Sequence, residues 1–176
     1  MVALSNGVRV RVAELHEIPR LAALVERSFR GLGAGHYTSD QIGAALGPAI
    51  RVDHGLVEDG TYFAAEMAGE LVGCGGWSAR VATASDAPLP SPRAEVRAMF
   101  VAPERARCGI GRALLAAAEQ AIAAAGFDVA YLLATRSGLP FYERAGYRAL
   151  AEHVIRLPGG GPLEVTCMER RLAPVD

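Results

Sequence analysis

Residues 94–133 constrain the fold more than any other stretch. Ala94-Glu95-Val96-Arg97-Ala98-Met99-Phe100-Val101 reads as a strand. A basic glycine turn, Arg107-Cys108-Gly109-Ile110-Gly111-Arg112, follows it. Ile110, Leu114, Ala118, Ile122 and Ala125 then fall on one stripe of an alanine-rich helix that Gly126 ends. Val129-Ala130-Tyr131-Leu132-Leu133 is a continuous apolar run, the pattern of a strand buried on both faces. Strand, long helix and strand in this order predict a parallel pair joined by a right-handed crossover.

The flanking segments read as hairpins and short helices. Val8–Val12 alternates apolar and charged residues, and a helix is expected over about Ile18–Phe29, with Gly31, Gly33 and Gly35 breaking it. Thr38 or Ser39 caps a second helix over Asp40–Leu46, with Gln41 completing a capping box with Thr38. Ala49–Asp59 has no clear pattern beyond a short helical turn. Tyr62–Met67 and Leu71–Trp77 form a hairpin, and Ala82–Arg93, with three prolines, reads as a loop. A short helix over Pro140–Ala145 and two closing strands, Tyr147–Leu157 and Leu163–Arg170, complete the chain. The expected fold is α/β, with a mixed, mostly antiparallel central sheet of about six or seven strands flanked by about four helices. At 176 residues, one domain over 1–176 is expected.

Composition removes several function classes. With a formal net charge of −1, there is no general attraction to nucleic acid or to an anionic membrane. No apolar run reaches bilayer-spanning length and the N-terminus lacks a secretion-signal pattern. Three scattered cysteines argue for a reducing compartment, hence a cytoplasmic protein. Neither cysteines nor histidines have metal-ligand spacing, so no metal is expected. Every basic residue is arginine, which excludes a phosphate loop of the Walker type and lysine Schiff-base chemistry. Arginine, alanine and glycine usage points to a GC-rich, bacterial coding genome.

The glycine turn opens a helix, where free N–H groups and the macrodipole favour an anion. A dinucleotide fingerprint would need glycine at position 114, which is Leu114, and a place after the first strand. A plain helix cap without ligand is the other reading.

Val101-Ala102-Pro103-Glu104 with Arg107-Cys108-Gly109-Ile110-Gly111-Arg112-Ala113-Leu114-Leu115 resembles motif A of the GCN5-related N-acetyltransferases, the GNAT superfamily. Gly138-Leu139-Pro140-Phe141-Tyr142-Glu143-Arg144-Ala145-Gly146-Tyr147 resembles its motif B. The order of elements also resembles that of the GNAT fold over nearly the whole chain. The resemblance implies acetyl-CoA as cosubstrate, its pyrophosphate bound by Arg107, Cys108, Gly109, Ile110, Gly111 and Arg112. It implies a splayed strand end at Met99, Phe100 and Val101 that holds the thioester and the pantetheine arm. Two positions depart from the family pattern. Ala106 stands where Gln or Arg is usual, leaving Arg105 or Arg107 to supply the charge, and Thr135 stands where an asparagine often touches the cofactor.

The implied activity is transfer of an acetyl group from acetyl-CoA to a primary amine of a small molecule or peptide by direct attack. Tyr142 matches the general acid of the family, with core packing beside Phe141 and Tyr147 as the alternative role. Glu95 is the candidate base; an ion pair with Arg97, two residues on and on the same face, is the alternative. Cys108 has no histidine partner for nucleophilic chemistry, and Trp77 and Tyr37 are candidates to line an acceptor cleft. A non-catalytic acyl-CoA-binding module and an acyltransferase using another acyl-CoA are the competing functions. Homodimerisation is compatible with the resemblance. No motif names the acceptor.

Overall fold

The computed structural model describes residues 2–3, 7–79, 93–159 and 161–173. The elements run β1 (Val2–Ala3), β2 (Val8–Val12), α1 (Ile18–Gly33), α2 (Ser39–Ala45), α3 (His54–Glu58), β3 (Tyr62–Met67), β4 (Glu70–Ser78), β5 (Ala94–Val101), α4 (Ile110–Ala124), β6 (Val129–Thr135), α5 (Leu139–Arg144), β7 (Arg148–Leu157) and β8 (Gly161–Arg171). The expected proline-bearing loop before Arg93 lies outside the described residues.

Eight strands, counting the two-residue β1, form one sheet in the order β1-β2-β3-β4-β5-β6-β8-β7. Every pairing is antiparallel except β5 with β6, the crossover pair. Helices cover both faces. Leu21, Leu24, Val25 and Phe29 of α1 join Ile42, Leu56 and the strand residues Tyr62, Ala64, Leu163 and Val165 on one side. On the other side Ile110, Ala113 and Leu114 of α4 pack on Val8, Val10, Ala65 and Val72, and Leu115, Ala118 and Ile122 pack on Ala94, Val96, Ala130 and Leu132.

The capping box forms as its sequence predicts: Thr38 Oγ1 accepts from Gln41 N at 3.2 Å, and Gln41 Oε1 accepts from Thr38 N at 2.9 Å. Helix α1 runs past its expected end. Gly31 does not break it, because it marks a close approach instead. A Cβ there would lie 2.6 Å from Pro103 Cγ, so the missing side chain lets the segment after β5 lie against the helix. Helix α4 ends at Ala124, one residue before the outermost position of the expected stripe.

Strand β5 carries the feature that sequence periodicity does not show. Ala94 and Val96 face α4, yet so do Met99 and Val101, while Ala98 and Phe100 face α1. The alternation slips by one residue. Ala98 has φ of 51°, in the left-handed region, and the β4–β5 register shifts between Cys74 and Gly76. This is a β-bulge. The buried Tyr62 hydroxyl donates to the Ala98 carbonyl at 3.2 Å and so pins it.

Candidate active site

Strands β5 and β6 start together and then part. They pair only at Ala94–Ala130 and Glu95–Tyr131. Beyond that point β6 stays on β8 as far as Thr135–Val165, and β5 stays on β4 as far as Val101–Gly73. Between the diverging strands lies a cleft of about 1190 Å³. It is lined by the β5 residues Glu95 through Val101, by the glycine turn, by Thr135, and by Tyr142 of α5.

The turn closes one end. Arg107 has φ of 65° and Gly109 φ of 83°; only glycine adopts the latter without strain. The first helical bond is Ala113 N to Gly109 O at 3.0 Å. Among the described residues the N–H groups of Gly109, Ile110, Gly111 and Arg112 therefore have no acceptor. Gly111 packs against Phe141 of α5: a Cβ there would meet Phe141 Cζ at 3.4 Å. This contact sets the second motif beside the first. Arg107 and Arg112 line the cleft, whereas Arg105 pairs with Glu70 at 3.5 Å. Of these two candidates to offset Ala106, Arg107 is the one that lines the cleft. Ile110 is buried and faces the sheet, so only its backbone is available to a ligand. Cys108 is exposed at the turn, and its Sγ lies 3.8 Å from the Ala106 carbonyl.

The three strand residues differ in role. Met99 and Phe100 line the cleft beside the bulge. The Val101 N–H is not free: it donates to Ser28 Oγ of α1 at 3.2 Å. Sequence reasoning missed Ser28. Its signal is a fully buried hydroxyl on the apolar stripe of α1. Thr135 Oγ1 shares a hydrogen bond with Ser137 Oγ at 3.2 Å at the cleft edge.

Tyr142 and Glu95 occupy opposite sides of the sheet. Tyr142 belongs to the buried cluster on the α4 face, with its ring edge-on to Phe141 at 5.0 Å and to Tyr147 at 5.7 Å. Its hydroxyl has no hydrogen-bond partner among the described residues, and burial raises its pKa above the usual value, so the phenol holds its proton. Tyr142 thus packs in the core and also lines the cleft. Glu95 is buried, at 4% exposure, and alternates onto the α1 face. Arg97 Nε lies 3.9 Å from Glu95 Oε2, and Arg97 Nη1 bonds Asp53 Oδ2 at 3.0 Å. Asp53 also caps α3, accepting from Gly55 N at 3.1 Å. Arg97 is shared between two carboxylates, with the shorter contact to Asp53. Sequence reasoning missed Asp53; its Asp-x-Gly spacing is a capping signal but not a site signal.

Two aromatic candidates lie elsewhere. Trp77 is buried against Phe127, and Tyr37 is buried with its hydroxyl accepting from Arg136 N at 2.9 Å and donating to Glu164 O at 2.8 Å. Both hold the scaffold. The cleft is walled instead by apolar residues that include Phe29, Leu32, Ile155, Leu157 and Leu163. No group of three or more metal-ligating side chains occurs among the described residues, and no helix there is long and apolar enough to cross a membrane.

A family model described as an acetyltransferase (GNAT) domain matches residues 58–149, which hold β3 to the start of β7 and both motifs. The chain belongs to the GNAT acetyltransferase family. GNAT proteins are acyltransferases, and this chain is one of them. The fold agrees. A GCN5-related N-acetyltransferase from Rhodopseudomonas palustris is 22% identical with a TM-score of 0.74, over 98% of this chain and 99% of that one. The PaiA N-acetyltransferase of Thermoplasma acidophilum, solved in complex with coenzyme A, is 18% identical with a TM-score of 0.66, over 93% and 98%. The ribosomal-protein-S18-alanine N-acetyltransferase of Escherichia coli is 13% identical with a TM-score of 0.63, over 96% of each chain. A search of curated proteins returns no match.

Proposed function

We propose that this GNAT protein is an acetyl-CoA-dependent N-acetyltransferase whose acceptor is a primary amine of a small molecule or peptide. The observation that carries the reading is the β5–β6 divergence, which joins the anion-ready turn to Tyr142 and Glu95 in one cleft. The residues suit the cosubstrate: the unpartnered N–H groups of Gly109–Arg112 match a pyrophosphate, and the cleft suits a long, narrow arm. Arg107 and Arg112 add charge at the turn, and Thr135 a hydroxyl at the far wall.

Acetyl-CoA, when bound, supplies the activated acetyl thioester. The β5 edge at Met99 and Phe100, freed from β6, orients it and offers backbone polarity to its carbonyl. Glu95 receives a proton from the attacking amine, directly or through water. Arg97 steadies the carboxylate, while Asp53 draws the guanidinium aside so that the pairing with Glu95 stays loose. Tyr142 delivers a proton to the departing thiolate from the opposite face.

The test is free-thiol release from acetyl-CoA across a set of primary amines. Release that depends on the amine supports the reading. Tight CoA binding with no release for any amine would replace it with a non-catalytic binding module, and faster release from propionyl- or succinyl-CoA would change the acyl donor.

A further inference from the structure

Most of the unpaired arginines among the described residues line one cleft. Among the described residues, Arg20, Arg51, Arg107, Arg112, Arg144 and Arg156 make no ion pair and no side-chain hydrogen bond, while the others do. All of these except Arg20 line the cleft between β5 and β6. Arg107 and Arg112 flank the glycine turn, and Arg144 ends α5, which packs on that turn through Phe141. They belong to the cofactor end. Arg51 and Arg156 come from segments outside both motifs. Arg51 follows Ile50 on the α1 face, and Arg156 stands between Ile155 and Leu157 of β7.

The carboxylates near this end are already used. Asp53, two residues from Arg51, bonds Gly55 N and Arg97. An extended dipeptide step spans about 7 Å, so Arg51 lies within one small-molecule length of the Arg97–Glu95 pair. Its charge is left for something else. The same cleft has an apolar lining, which includes Phe29, Leu32 and Leu163. Guanidinium forks read carboxylates and phosphates in two-point contacts.

We propose, building on the acetyltransfer reading, that the acceptor is an amine that also carries an anionic group, held by Arg51 and Arg156 while its amine faces Glu95. The apolar lining of the cleft takes a hydrocarbon side group. This selects amino-acid-like or peptide acceptors, or phosphorylated amines, over purely cationic ones such as polyamines.

The test compares amines that differ only in the anion. Leucylglycine against leucylglycinamide probes a carboxylate; phosphoethanolamine against ethanolamine probes a phosphate. In each case kcat/KM is read from thiol release. At least one anionic member should exceed its neutral partner by about tenfold or more, the value of one good charge-assisted contact. The pair that shows the preference names the anion. In the Arg51→Ala/Arg156→Ala variant the ratio should fall towards one through KM, with the thermal midpoint retained. Equal kcat/KM within both pairs overturns the inference while leaving acetyltransfer intact. A variant whose loss is accounted for by a raised KM for acetyl-CoA overturns it too, because the arginines would then serve the cofactor. No thiol release from any amine removes the acetyltransfer reading and this inference with it.

Discussion

Tyr142→Phe separates chemistry from architecture in one substitution. Phenylalanine keeps the ring, so the edge-on contacts to Phe141 and Tyr147 remain. The lost hydroxyl has no partner among the described residues, so its removal strands no donor or acceptor. Stability should change by no more than about 0.5 kcal/mol, which in a chain of this length moves the midpoint by roughly 2 °C or less. The chemical cost is larger. General acid catalysis contributes about 10²- to 10⁴-fold, so the barrier should rise by roughly 3–5 kcal/mol. CoA affinity, measured by calorimetry, should be unaltered because the turn is untouched. The pH profile adds a second reading. Burial raises the phenol pKa above its usual value of 10, so the wild-type basic limb should lie above pH 10, where the acid finally loses its proton. The variant should lack that limb. Wild-type kcat in the variant would refute the acid role, and a midpoint loss above about 5 °C would refute the claim that the hydroxyl holds nothing in place.

Other outcomes follow from the turn and the core. Gly109→Pro forces φ negative and deletes an N–H, and Gly111→Val crowds Phe141. Each should weaken CoA binding about tenfold or more by calorimetry, whereas Arg105→Ala, spending its charge on Glu70, should change it by less than about threefold. Acid stability should track Glu17. Its carboxyl accepts from Arg11 at 2.7 and 2.6 Å, which pulls its pKa from 4.5 down to about 2. A depressed folded pKa stabilises above the unfolded value, so the stability that this pair contributes above pH 4.5 should drain away as the pH falls towards 2. Glu17→Gln should flatten the thermal midpoint against pH over that window.

Local chemistry was legible where it is decided locally. The Thr38 capping box, the hairpins and the crossover unit are written in adjacent residues and in period. The glycine turn was legible because left-handed backbone requires glycine at position 109. The β5 bulge was not. The run from Ala94 to Val101 alternates plausibly without it, and the slip at Ala98 is imposed by the β4 register and by Tyr62, residues far along the chain. The end of α1 was misread for a related reason, since Gly31 answers to Pro103 across space. Tyr142 is a candidate from its place in the second motif and Glu95 from its place as an acid in the central strand, but their placement on opposite faces is not written in either stretch. The apolar wall of the cleft was illegible because its residues come from α1, β7 and β8 with no shared spacing.

The strand order has a consequence for how the protein is born. Strand β8, the last of the described strands, lies between β6 and β7. While a ribosome is still making residues 161–171, β6 has an open edge and the cleft has no wall at Leu163 and Val165. The Tyr37 hydroxyl likewise waits for the Glu164 carbonyl, 127 residues downstream. Domains generally fold as units. A nascent chain can therefore gain an enclosed reaction chamber only when synthesis has passed β8.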